Sequence, residues 1–332
     1  VSDLVRPLRF GVTGSSVSEP LQLVSRAREA ERLGYSTFGM ADHLMMPFAP
    51  LIALQAVAAA TTTVRLAPTV LNQDLRHPAV VAKELATLDV LSGGRLQVGI
   101  GAGWMREEYD QSGMRFDPAA VRIERLEEVV IIVKGLLSGG LFSFAGNHFA
   151  IDALEGTPRP VQQPHPPIMI GGGGRRLLAV AARQADIIQI MPSVSGGALT
   201  VGAQDFSAEA YEEKIAWVRE EAGSRFEHIE IGAQLLSVMI TDDPDDGYEN
   251  YLQAYVPQLR SLGGSLVLSK EEFLSSPMVA VGPIDDVCAK LLAVRDRFGI
   301  SYFLAPVGSR PETLAAVVEC LSGGSAARSR SS

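Results

Sequence analysis

Apolar runs of strand length alternate along this chain with stretches whose apolar residues recur every three or four positions. Residues 8–14 read as a buried strand. Leu21, Val24, Ala27, Ala30 and Leu33 follow at helical spacing, closed by Gly34. The cycle then repeats. Strands are expected at 36–42, 64–71 and 95–101, with helices at 50–61 and around Val81, Leu85 and Leu88. A helix at 119–138 leads into a hairpin over 142–151, turning at Gly146–Asn147. The strand 166–172, a short helix and the strand 186–191 come next, then a helix at 210–222 and a strand at 229–240. Helices at 243–256 and 284–298 precede a last strand at 300–306 and a helix from Pro311.

Strands apolar on both faces imply a parallel sheet with right-handed crossovers. Eight strand candidates, each followed by helix, predict an α/β chain folded as a (β/α)8 TIM barrel. The pattern gives one barrel over residues 1–322 and a small, polar tail over 323–332, expected to be disordered. Two long connections, 139–166 and 192–208, are expected as insertion loops at the C-terminal face, where they would shape a substrate site.

Composition narrows the function. The 332 residues are 47% hydrophobic and 20% charged, with a formal charge of −9, which argues against nucleic acid or an anionic membrane as partner. No apolar run reaches ~18 residues. The first ten residues lack the apolar core of a secretory signal, which predicts a cytoplasmic protein. Cys288 and Cys320 stand at no metal-like spacing and read as reduced thiols. The chain has no HExxH, CxxC or GxSxG motif, so no metal ligand is assigned.

In such a barrel the chemistry sits where each strand ends. After the second strand come Asp42 and His43. The imidazole can donate a hydrogen bond or move a proton; alternatively, His43 is a satisfied loop histidine and Asp42 a helix cap. After the third strand, Thr69 and Asn72 place short polar groups at the mouth, where Asn72 equally suits a turn. His77 precedes Pro78 and reads as part of a helix entry. After the fourth, Gly99, Gly101 and Gly103 alternate, which suggests close approach by a flat ligand, with Trp104 either walling a ring or lying in the core. Four glycines, Gly171–Gly174, with Arg175 and Arg176, open the helix after the fifth. They fit no nucleotide P-loop. They fit an anion site at a helix N-terminus, or a flexible loop with two solvated arginines.

Taken in order, four segments resemble the bacterial luciferase-like monooxygenase superfamily and, within it, the coenzyme F420-dependent oxidoreductases. They are GYSTFGMADHL, VRLAPTVLNQDLRHPAVVAKELATLDVLSGGRLQVGIGAGW, PRPVQQPHPPIMIGGGGRRLLAVAARQAD and SPMVAVGPIDDVCAKL. The resemblance runs over about residues 8–321. It implies a barrel holding F420, or alternatively FMN, at its C-terminal mouth, with Asp42 and His43 facing ring and substrate. The Thr69–Val70 bond matches a cis peptide of the relatives. Asn72, Gly101, Ala102 and Gly103 would line the cofactor, and Gly172, Gly173, Gly174, Arg175 and Arg176 would hold its phosphate. Two positions depart from the pattern. Ala102 stands where many FMN relatives carry arginine, which favours F420. Trp104 stands where F420-dependent sugar-phosphate dehydrogenases carry a glutamate proton donor. Glu107 and Glu108 lie nearby and read as exposed.

Met45, Met46, Trp104 and Met191 are expected as apolar walls for a small organic substrate. The FMN alternative is a two-component monooxygenase fed by a separate reductase, and a different class is a cofactor-binding barrel without turnover. The resemblance also implies a homodimer.

Overall fold

The computed structural model describes residues 6–194, 196–197, 202–261 and 265–328. Its strands are β1 (Arg9–Thr13), β2 (Thr37–Met40), β3 (Arg65–Pro68), β4 (Leu71–Asn72), β5 (Val98–Gly101), β6 (Gly140–Ala145), β7 (Ala150–Gly156), β8 (Ile168–Gly172), β9 (Ile187–Ile190), β10 (Glu230–Gln234), β11 (Ser237–Ile240), β12 (Val279–Gly282) and β13 (Ile300–Leu304). Its helices are α1 (Pro20–Arg32), α2 (Pro50–Ala60), α3 (Pro78–Leu91), α4 (Arg106–Ser112), α5 (Ala119–Leu137), α6 (Arg175–Gln184), α7 (Ala208–Ala222), α8 (Pro244–Asn250), α9 (Val256–Ser261), α10 (Lys270–Ser275), α11 (Ile284–Phe298) and α12 (Ala315–Arg328).

Nine parallel strand segments run in the order β3-β2-β1-β13-β10-β9-β8-β5-β4. β3 and β4 are one strand interrupted at Thr69–Val70, and a parallel bridge from Leu66 to Leu96 joins the two edges. The result is a barrel of eight strands, as the alternation in the sequence implies. Its interior holds Met169, Ile187, Tyr302 and Leu304, with Val70 packed on them. Glycines on the surrounding strands make room for these side chains. A Cβ at Gly11 would lie 2.7 Å from Leu304, and one at Gly232 would lie 2.7 Å from Gln189. A larger core between strands and helices includes Phe38, Leu54, Leu66, Leu85, Val130 and Leu291.

The N-terminal end of the barrel is closed by Arg9. Its guanidinium donates twice to Glu230 at 2.7 Å and to Thr37 and Gln97 at 3.1 Å, and stacks on Tyr302. Burial pulls the Arg9 pKa down, but Glu230 and Tyr302 outweigh it and the net direction is up. Replacing Arg9 with leucine would leave the Glu230 carboxylate partly buried without its cation. The expected loss is about 3 kcal/mol in urea denaturation, as for one partner removed from a buried pair.

The structure departs from the sequence expectation in three places. The apolar run 229–240 is two strands: β10 stays in the barrel, whereas β11 pairs with β12 in a separate two-stranded sheet. The chain leaves the barrel because Leu235 N–H bonds Leu304 O while Leu236 N–H bonds Met278 O. The insertion that this opens, from Leu235 to Pro283, follows a barrel strand and therefore starts at the C-terminal face. By contrast, 139–166 links α5 to β8. Its Gln162 bonds Asp89, Leu96 and Arg65 near the strand starts, and its β6–β7 hairpin lies along α5. That connection flanks the barrel rather than crossing the mouth. α12 runs to Arg328, and residues 329–332 lie outside the described residues.

Two groups make the stability of the fold rise with pH, one in the acid range and one in the alkaline range. Burial raises the Glu31 carboxyl, but N–H groups of Thr62, Thr63 and Val64 outweigh it and bring the pKa to about 2. Its folded value lies below the ordinary 4.5, so this contribution is complete above pH 4.5 and lost as pH falls toward 2. Burial lowers Lys290 to about 8, with its ammonium donating to Leu274 O at 3.2 Å. The unfolded chain then binds the extra proton between about pH 8 and 10.5, so this group makes stability rise with pH across that window. Denaturation at pH 7 and pH 9.5 checks it: Lys290→Met is expected to be more stable than wild type at pH 7, with the difference shrinking at pH 9.5.

Candidate active site

The mouth is built from the chain segments that leave β2, β4, β5, β8 and β9. At its base the Thr69–Val70 peptide is cis. Val70 rests between the glycines of β5: a Cβ at Gly99 would meet Pro68 O at 2.1 Å and Val70 at 3.1 Å, and one at Gly101 would meet Val70 at 2.6 Å. No side chain fits at Gly99 without moving the backbone of β3, or at Gly101 without displacing the Val70 side chain. A flat surface results, with Val70 partly open to the mouth and Gly171 on the neighbouring β8. Buried polar atoms lie beside it without a protein partner among the described residues: Thr69 Oγ1 and both amide atoms of Gln189. Such groups need a water or a ligand to satisfy them.

Asp42 turns away from the mouth. It is 5% exposed, and its carboxylate accepts from Arg76 at 2.6 and 3.1 Å and from the Asn72 N–H at 3.0 Å. The pair ties the end of β2 to β4. Asn72 is held in turn: its Oδ1 accepts from the Asp74 N–H and from Tyr109 O–H, both at 3.1 Å. The same Tyr109 hydroxyl sits where a Cβ at Gly103 would be, 2.0 Å away, and Gly103 has a φ of +70°, so glycine is required there on both counts.

His43 faces the opposite way and has a partner that the sequence did not single out. Its Nδ1 lies 2.8 Å from Glu108 Oε2, while Glu108 Oε1 accepts from the Leu44 N–H at 2.6 Å. Glu108 is 6% exposed, not the solvated residue expected. It comes from α4, a seven-residue polar helix with no apolar repeat to announce it. With Nδ1 donating to a carboxylate, Nε2 is the free nitrogen. Trp104 packs edge-on against the imidazole at 5.6 Å and is half-buried, while Met45 is 56% exposed beside it.

Gly172, Gly173 and Gly174 bring β8 to the start of α6. A Cβ at Gly173 would lie 2.2 Å from Met191 O, whereas Gly174 faces open space. Met191 N–H bonds Gly172 O at 2.9 Å, and buried Lys214, paired with Asp205 at 2.7 Å, donates to Met191 O. Gly174 caps α6 without a side-chain bond, and the first intrahelical donor is Leu178. The N–H groups of Arg175, Arg176 and Leu177 therefore project from the helix start, with the positive end of its dipole. The two arginines do not turn inward with them. Arg175 is exposed, 3.2 Å from Glu220 and over Trp217 on α7, and Arg176 is exposed.

Comparison with known proteins gives the family and the fold. Residues 5–273 match the family described as luciferase-like monooxygenase. An F420-dependent glucose-6-phosphate dehydrogenase of Microbacterium testaceum is 32% identical over 219 residues, 63% of this chain and 60% of the relative. An FMNH(2)-dependent dimethylsulfone monooxygenase of Pseudomonas putida is 36% identical over 109 residues, 33% of this chain and 30% of the relative. The chain spans about half the length of the curated relatives that it matches, from 30% to 61% of them. Among solved structures, the coenzyme F420-dependent tetrahydromethanopterin reductase of Methanopyrus kandleri superposes with a TM-score of 0.75 at 18% identity, covering 95% of this chain and 98% of that one. That likeness speaks for the fold. Among the described residues no helix is long and apolar enough to cross a membrane.

Proposed function

The chain belongs to the luciferase-like monooxygenase family, and from that premise we propose that it is a coenzyme F420-dependent oxidoreductase acting on a small organic substrate. The observation that carries the reading is the apolar floor that Val70 makes over Gly99 and Gly101, with Thr69 Oγ1 and the Gln189 amide left unsatisfied beside it. A planar ring laid on that floor covers apolar surface and brings its own polar edge to buried groups that lack a partner. The residues therefore fit a deazaflavin. When bound, it supplies the hydride donor or acceptor for a substrate above its plane.

The chain's own contribution is orientation and a proton. Glu108 takes the Nδ1 proton of His43 as a hydrogen bond, which fixes the ring and presents Nε2 to the substrate. Asp42, held by Arg76, is a positioning residue that fixes the β2–β4 junction on which Asn72 and the floor depend. Met45, Trp104 and Met191 give the substrate an apolar wall. The free N–H groups at the start of α6 receive the cofactor phosphate. The relative named as an F420-dependent dehydrogenase supports this cofactor, as does Ala102, where FMN relatives carry arginine.

A second reading, an FMN-dependent monooxygenase served by a separate reductase, has the dimethylsulfone monooxygenase match in its favour. Mass analysis of the cofactor retained when the protein is produced in a host that makes both F420 and flavins separates the two. The deazaflavin is expected; retention of FMN alone favours the second reading.

A further inference from the structure

We propose that Arg106 and Arg122, rather than Arg175 or Arg176, supply the positive charge that completes the phosphate site at the start of α6. The proposal rests on the cofactor reading above and assigns residues within it. β5 and β8 are neighbouring strands, paired from Val98–Ile168 to Ile100–Ile170. The chain leaving Gly101 therefore runs beside the chain leaving Gly172. Arg122 reaches this place from α5, its Nε donating to Gly103 O at 3.3 Å and its NH1 to Asp117 O. Arg122 is 7% exposed and, among the described residues, has no carboxylate within ion-pair distance. The acids nearest to it are already engaged, since Arg125 holds both Asp74 and Asp117. Its remaining guanidinium nitrogen finds no protein acceptor among the described residues.

Arg106, at the first position of α4, likewise has no carboxylate within ion-pair distance among the described residues. Both guanidinium groups stack on Phe116, at 4.5 Å for Arg106 and 3.9 Å for Arg122. Burial lowers the Arg122 pKa, and the charges of Arg106 and Arg125 push the same way against Tyr109 and Asp74. A buried guanidinium kept from any carboxylate is costly unless an anion arrives.

The connection after β9 links this pair to the helix start. Ser193 Oγ donates to Gly173 O at 3.1 Å, and four residues later Gly197 O accepts from the Arg106 N–H at 3.0 Å. A Cβ at Gly197 would lie 2.7 Å from Arg106 Cβ. Four residues span at most about 14 Å, which keeps Gly197 and the Arg106 backbone bonded to it within that distance of Ser193 and the turn at Gly173. Arg175, leaning on Glu220 and Trp217, is aimed at α7 instead. The ligand class is a phosphate ester, whether of a deazaflavin or of a flavin.

Calorimetric titration of the full chain with inorganic phosphate, F420 and FMN tests the assignment. Arg106→Ala and Arg122→Met are each expected to weaken phosphate and cofactor binding about tenfold, the size of one charge-assisted contact. Arg175→Ala and Arg176→Ala are expected to stay within about twofold of wild type, since each removes only a solvated charge. Weakening by either of the latter with Arg106→Ala unchanged would overturn the proposal, as would equal affinity in all four variants. Arg106→Ala, a change at an exposed position, decides the matter if Arg122→Met fails to fold. Should wild type bind inorganic phosphate but neither cofactor, the cofactor reading fails; phosphate binding that still depends on Arg106 continues to support the arginine assignment.

Discussion

Replacing His43 with alanine is expected to lower kcat by about 100- to 10,000-fold, the usual span for a positioned acid or base, while F420 affinity changes by less than about threefold. The asymmetry follows from the geometry. The imidazole is held by Glu108 and Trp104 at the end of β2, and its hydrogen bond goes to neither the Val70 floor nor the start of α6. Its loss removes a proton-transfer group and leaves the cofactor's supports in place. Glu108→Gln is the companion change. The amide can still meet the Leu44 N–H, but it no longer presents a charged acceptor to Nδ1, so the ring loses its fixed tautomer. A kcat below wild type, with an altered pH profile, is expected for this variant. Steady-state kinetics against cofactor titration reads both effects, and a fully active His43→Ala enzyme would remove His43 from the mechanism.

Gly99→Ala is expected to be the most damaging single-methyl change in the barrel. The added carbon would sit 2.1 Å from Pro68 O, 3.0 Å from Met169 and 3.1 Å from Val70. The first of these is backbone and cannot rotate aside, so β3 or β5 must shift at the point where the Val70 floor is made. Overpacking of this kind costs about 1–3 kcal/mol, and more where only backbone can yield. Chemical denaturation is expected to show at least that loss, together with weakened cofactor binding. Gly171→Ala is the control on the neighbouring strand: its nearest neighbour would be 3.7 Å away, an ordinary contact, so stability should hold.

Much of the barrel was legible because parallel strands covered on both faces are apolar throughout, and helices between them carry a regular stripe. The run 229–240 shows where that signal ends. Its apolar character is uninterrupted, yet the chain changes sheets at Leu235–Leu236, a choice made by hydrogen-bond partners on distant segments. The site divides along the same line. Glycines required by close approach, such as Gly101 and Gly103, stood out as an alternation. Glu108 did not, because a glutamate in a polar run reads as solvated until His43, 65 residues away, is brought to it. The two arginines beside the glycine run drew the eye through adjacency in sequence, whereas Arg106 and Arg122 meet only in the folded chain.

The central claim is that the floor at Val70 and the bare start of α6 together receive a deazaflavin with its phosphate. Fluorescence titration of the cofactor-free protein with F420 and with FMN, side by side, tests it most directly. Saturable binding of F420, tighter than that of FMN and weakened by Gly99→Ala, is the expected result. Failure of both cofactors to bind wild-type protein at any concentration reached would contradict it.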